Sequence, residues 1–209
     1  MRRRPTLALT FAVLLAGCTR PYERDGGGAD PLDSSYDPVT GNRFEGPLVL
    51  DDERVRSLDP SRLPAGDHPC REPVLARVYE VNDGDTFEAL GEGVVLDARV
   101  RIIGVDTPEV AHPGEPGDCY GNEARAFTSQ LTGHLVWLSF DNTCLDPYDR
   151  LLAYVHVGSG DGDFWQRQLL RRGYATVLTV GDNRTFAPTF EADEAAAESA
   201  GAGLWSACF

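Results

Sequence analysis

PVLARVYEVNDGDTFEALGEGVVLDARVRIIGV, residues 73 to 105, decides the fold. Its first part, Pro73 to Val81, is rich in β-branched and aromatic residues and reads as a strand. Asn82 to Asp85 is turn chemistry, Thr86 to Leu90 a second strand, and Gly91 to Gly93 a glycine-containing turn. Val94 to Val105 reads as a third, long strand. Strands joined by turns this short predict an antiparallel meander.

Downstream, Tyr120 to Leu131 has the period of a helix, with Ala124, Phe127 and Leu131 on its apolar face. His134 to Phe140 and Leu151 to Val157 read as two more strands. Asp163 to Gly173 reads as a second helix with a glycine stop, and the alanine-rich run from Phe190 to Ser206 as a third. Five strands with about three helices predict an α+β domain built on a five-stranded Greek-key β-barrel of the OB type. No internal repeat is present.

Upstream, residues 19 to about 68 carry Gly, Pro, Asp and Ser without an apolar period, which predicts a disordered tether. Phe44, Leu48, Val49, Leu50 and Val55 leave room for a short element packed on the domain. Ahead of this, Arg2, Arg3 and Arg4 precede an apolar run too short for a permanent membrane span, which is the layout of a signal peptide. The run ends in Leu14-Leu15-Ala16-Gly17-Cys18, which resembles a bacterial lipobox and implies cleavage before Cys18 and lipid on its thiol. The expected organisation is a signal peptide over 1–17, a lipidated cysteine and linker over 18–68, and one domain over 69–209. Beyond Cys18 four cysteines remain, Cys70, Cys119, Cys144 and Cys208, an even number suited to disulfides in an oxidising compartment. They allow three pairings, and with no C-x-x-C spacing a zinc site is disfavoured.

The chain has a formal net charge of −14 and no lysine, and loss of its first 17 residues takes the charge to −17. That excludes a protein that coats nucleic acid with a basic face. Chemistry must therefore come from local constellations. Asp83, Asp85, Asp106 and Glu109 lie in two turns, each following a strand, where neighbouring strands can bring Asp85 and Asp106 together as oxygen donors for a hard cation. Taken alone, both turns are ordinary punctuation. Arg101 and Arg150 carry the fork that grips a phosphate, although either could pair with a surface carboxylate.

Order and spacing change that balance. Asp83-Gly84-Asp85-Thr86 is followed by Arg101-Ile102-Ile103-Gly104-Val105-Asp106-Thr107-Pro108-Glu109, then by Tyr120-Gly121 and Glu123-Ala124. Asp146, Tyr148, Arg150 and Leu152-Ala153-Tyr154 come next, and Gly203-Leu204-Trp205-Ser206 closes the series. This series resembles the staphylococcal nuclease (thermonuclease) family from about residue 72 to Trp205. The resemblance implies a calcium-dependent, OB-fold hydrolase of phosphodiester bonds in both DNA and RNA. It makes Asp85 and Asp106 the carboxylate ligands of Ca2+, with the carbonyl of Thr107, and sets Asp83 beside the metal. It sets Glu109 at the proposed general base, Arg101 and Arg150 on the scissile phosphate, and Tyr148 on a terminal phosphate. Such a protein would act as a monomer on nucleic acid, outside the cytoplasm, tied to a membrane through Cys18.

Departures from the family pattern concern substrate grip. The loop after Glu109 reads Gly114-Glu115-Pro116-Gly117-Asp118 where basic residues are usual. Pro147 replaces a basic residue, Asp149 a glycine, and Thr179 or Val180 a stacking tyrosine. A weakened nuclease serving as a binding module, or a surface lipoprotein stabilised by calcium, are the alternative readings. In the nuclease reading, a Cys119–Cys144 bridge would pin the loop across the cleft, and a Cys70–Cys208 bridge would tie the ends of the domain.

Overall fold

The computed structural model describes residues 48–209. Seven strands follow in chain order: β1 (Val74–Asp83), β2 (Thr86–Gly91), β3 (Asp97–Ile102), β4 (Gly104–Asp106), β5 (Leu135–Ser139), β6 (Leu151–His156) and β7 (Thr176–Leu178). Five of them close a barrel in the order β1-β2-β3-β6-β5, and β4 pairs with β7 in a separate ribbon. β3 and β6 run parallel, and every other neighbouring pair is antiparallel. This is the OB barrel expected from the sequence.

Period-two alternation drives it. On β3, Val100 and Ile102 point inward and are buried, while Arg99 and Arg101 take the opposite face. Phe87, Leu138, Ala153 and Val155 meet them inside. Register shifts in β1 after Val78 and Val81 bend that strand where it approaches the Asp83 turn. Helix α2 (Gly121–Thr128) lays Phe127 on Trp165 of α3 (Trp165–Arg171), with ring centroids 4.9 Å apart. Gln166 of α3 bridges the barrel, accepting from Val155 N–H at 3.2 Å and donating to the carbonyls of Ile103 and Ala153. The buried Arg167 guanidinium joins α3 to α4 (Ala187–Ala200) through Asp193 at 2.7 Å, and also meets Asp161 at 3.0 Å.

Four features differ from the sequence reading. The long third strand is two strands broken at Gly104, whose φ of +84° suits glycine and whose missing Cβ makes room for the Phe190 ring. Residues 94–96 lie outside the strand as part of an exposed turn. The third helix stops at Ala200, because Gly201 adopts a left-handed cap, and α5 (Leu204–Ala207) starts afresh. Residues 48–68, assigned to the tether, are instead fastened to the barrel. Asp51 caps α1 (Asp52–Ser57), Val55 is buried, and its carbonyl accepts from Trp137 Nε1 at 2.8 Å. Arg54 reaches Asp163 at 3.1 Å and the Val157 carbonyl at 2.7 Å. Cys18 and the signal segment lie outside the described residues.

The disulfides also correct the expectation. Cys70 bonds Cys144, and Cys119 bonds Cys208. Cys70 N–H donates to the Asp141 carbonyl, which sets residue 70 alongside the segment that leads from β5 to Cys144. The C-terminal turn brings Cys208 to the loop that carries Cys119, with 5.9 Å between their Cα atoms. Two such bonds are of the kind that form and persist in an oxidising compartment.

His156 on β6 is wholly buried, with Nε2 2.8 Å from Ser139 Oγ. Burial pushes its pKa down to about 3, against the opposing pull of the Pro64 carbonyl. The fold therefore holds the imidazole neutral, while the unfolded chain gains a proton near the ordinary histidine value of about 6.5. Stability should fall as pH drops from 6.5 towards 3, at up to about 1.4 kcal/mol per pH unit from this group. Urea midpoints measured across that range should show a shallower acid slope for His156→Gln than for the wild type; equal slopes would refute the assignment.

Candidate active site

The β1–β2 turn sets the floor of a cleft of about 510 Å3. Asp83 ends β1 and Asp85 precedes β2. Gly84 lies between them because Thr107 leaves no room for a side chain there: a Cβ on residue 84 would meet Thr107 side-chain atoms at 2.7–2.8 Å. Thr128 Oγ1 donates to the Gly84 carbonyl at 2.5 Å, so α2 supports the turn from behind. Asp85 accepts from Thr107 N–H at 2.9 Å and from Thr107 Oγ1 at 3.2 Å, which locks the two turns together.

Arg101 crosses this junction from β3. Its guanidinium contacts Asp85 and reaches Asp106 at 2.8 Å, so two carboxylates share one cation. Parallel pairing aligns Arg101 with Leu152 and Val100 with Leu151, which brings Arg150 to the same edge. Asp146 fixes Arg150, binding its Nε at 2.6 Å and its backbone N–H at 2.9 Å. Burial works to raise the Asp146 carboxyl, yet the Arg150 and Tyr148 contacts together hold it below its ordinary value. The Nε bond is the one ion pair of Arg150 among the described residues, and it leaves the terminal nitrogens of the fork for another anion.

Glu109 closes the far side. Its backbone is held at both ends by Asp118, whose N–H donates to the Glu109 carbonyl at 2.9 Å and whose carboxylate accepts from the Glu109 N–H at 3.2 Å. Burial first, and the adjacent Glu109 carboxylate second, push the Asp83 carboxyl up to about 7.

The structure gathers six of the residues singled out from sequence, Asp83, Asp85, Arg101, Asp106, Glu109 and Arg150, in one cleft. Thr107 lies buried beneath them and lines a neighbouring cavity. Tyr148 stands outside the cleft, 80% exposed, with the Arg150 guanidinium 5.6 Å from its ring centroid. It lines a mostly apolar pocket of about 240 Å3, shared with Arg101 and Arg150 and walled by Leu178 and Val180. Asn82, Thr86, Arg99 and His112 also line the cleft and have no assigned role in the sequence reading. The signal for Arg99 was available, since residues 99 and 101 share one face of a strand. Asp146 was read as part of a motif but not as the residue that positions Arg150.

Among the described residues, no three His, Cys, Asp or Glu side chains are arranged to hold a metal ion by themselves. The donor chemistry still suits a hard cation. Asp85 and Asp106 already converge on one positive group, and calcium completes its shell with backbone carbonyls and water.

Residues 99–207, more than half of the chain, match the family profile described as staphylococcal nuclease homologue. The chain belongs to the staphylococcal nuclease family. It is 34% identical over 131 residues to a thermonuclease of Staphylococcus hyicus, covering 62% of this chain and 75% of that protein. A thermonuclease of Staphylococcus intermedius is 35% identical over 129 residues, or 61% and 74% of the two chains. The endonuclease YncB of Bacillus subtilis is 36% identical over 127 residues, covering 59% and 58%. This family membership accounts for the barrel and for the order in which the cleft residues occur along the chain.

The packing of Gly84 against Thr107 is open to a direct test. Gly84→Ala should displace Thr107 from Asp85 and destabilise the protein by about 1–3 kcal/mol. A urea midpoint unchanged from wild type would mean that the two turns are not locked as described.

Proposed function

We propose that this member of the staphylococcal nuclease family is a calcium-dependent, sugar-non-specific nuclease that hydrolyses phosphodiester bonds in DNA and RNA. The observation that supports it best is the convergence of Arg101 and Arg150 on a cleft that also holds Glu109. Two guanidinium forks on one edge suit a phosphodiester, whose charge grows on the non-bridging oxygens as the reaction proceeds. Arg150 engages with its terminal nitrogens while Asp146 retains Nε. Arg101 exchanges part of its contact with Asp85 and Asp106 for the phosphate. Glu109, held by Asp118, orients the attacking water and takes its proton, opposite the leaving oxygen.

Asp85, Asp106 and the Thr107 carbonyl would hold Ca2+, with Asp83 beside it. When bound there, the ion would supply positive charge to the phosphoryl oxygens. Tyr148 would meet a terminal phosphate at the rim, where the apolar pocket beside Arg150 offers room for a base. The chain would work as a monomer outside the cytoplasm, attached to a membrane by lipid on Cys18. Its acidic exterior disfavours tight binding along a polymer, so the phosphate is gripped chiefly where Arg101 and Arg150 converge.

Residues 19 to 209, with both disulfides formed, should cleave single-stranded DNA and RNA with calcium and lose that activity with a chelator. Glu109→Ala and Arg150→Ala should each lower kcat by about 10²-fold or more. A folded wild type that binds oligonucleotide without turnover at low salt would replace this reading with that of a binding module.

A further inference from the structure

A second cavity, of about 310 Å3, adjoins the cleft, and Asp106 and Glu109 line both. Its outer wall is Phe209, which is 89% exposed. The Phe209 ring lies on Trp205 with centroids 5.5 Å apart and planes inclined by 25°. This stacked pair is anchored beside the chemistry. Cys208 is bonded to Cys119, and the residue before Cys119 is the Asp118 that grips both backbone groups of Glu109. An aromatic face and a cleft carboxylate are thus parts of one cross-linked unit.

Resting on the nuclease reading, we infer that the Trp205–Phe209 pair is a stacking platform for one nucleobase of a single-stranded substrate, on the Glu109 side of the scissile phosphate. The occupant must tolerate carboxylates on one wall, present a flat face to Phe209, and continue into a cleft lined by arginines. A nucleobase attached to the bound phosphodiester meets all three requirements. Among the described residues, Asp106, Glu109 and Asp118 line this second cavity and no arginine does, so an uncharged base is accommodated where a phosphate would be repelled. Stacking is also the contribution that an acidic chain can supply without a basic groove, and it is tolerant of sequence. Tyr148 stands exposed at Arg150, at the other rim. The two aromatic groups then bracket the arginine pair, with one base position on either side.

The test uses the disulfide-bonded protein and short oligonucleotides in which one phosphodiester is cleavable and the other linkages are methylphosphonates. Stacking of about 1–3 kcal/mol per base corresponds to roughly 5- to 150-fold. Phe209→Ala should lower kcat/KM by an amount in that range, chiefly through KM, and Phe209→Trp should restore it. An abasic residue on one side of the cleavable bond should slow the wild type and add nothing to the loss in Phe209→Ala. Phe209 is exposed, and unchanged thermal unfolding of the variants will exclude a folding defect. If the wild type cleaves while Phe209→Ala matches it, or if the abasic and Phe209→Ala losses simply multiply at both positions, the platform is refuted and the nuclease reading stands. If the wild type cleaves no substrate, the nuclease reading fails and the platform falls with it.

Discussion

The parallel pairing of β3 with β6 is the constraint on which the rest of the structure depends. Val100, Arg101 and Ile102 run beside Leu151, Leu152 and Ala153. Their inward side chains complete the core, and the same register carries Arg101 and Arg150 to one edge. Parallel neighbours cannot be joined by a tight turn. The intervening chain therefore has to leave the barrel and return, and it carries the Glu109 loop, α2 and β5 on the way. Closure of the barrel and delivery of the carboxylate are consequences of one topological requirement.

Within the cleft the energetics are local. Asp85 and Asp106 are held by Arg101, and Arg150 is held by Asp146, so each arginine is oriented before any substrate arrives. Fixed side chains need little rearrangement on binding, which preserves interaction energy for the reacting phosphate. Burial, and then the adjacent Glu109 carboxylate, raise the proton affinity of Asp83. A chain of formal charge −14 thereby presents two oriented arginines, Arg101 and Arg150, on one cleft.

The barrel was legible in residues 73 to 105 because runs rich in β-branched and aromatic residues are separated there by short turns with strong signals. The cleft was legible because its residues come in a distinctive order. Other features were hidden for physical reasons. β7 has three residues, too few for a pattern, and it is defined only by pairing with β4. Gly104 and Gly201 break elements through positive φ angles that neighbouring apolar residues conceal. Helix α1 has one buried apolar residue and is held by Asp51, Arg54 and Trp137, contacts that composition does not report. Disulfide partners depend on distances between segments far apart in sequence, and here the bridges span 74 and 89 residues.

The two bridges overlap, since Cys119 lies between Cys70 and Cys144, and Cys144 lies between Cys119 and Cys208. Every peptide bond from residue 70 to residue 208 therefore falls inside at least one covalent ring. A protease that nicks the chain anywhere in that interval, including the exposed loop after Glu109, opens a ring but releases no fragment. In surroundings rich in proteases, a single cut leaves both halves of the cleft on one covalently connected molecule, and only a second cut or reduction can part them.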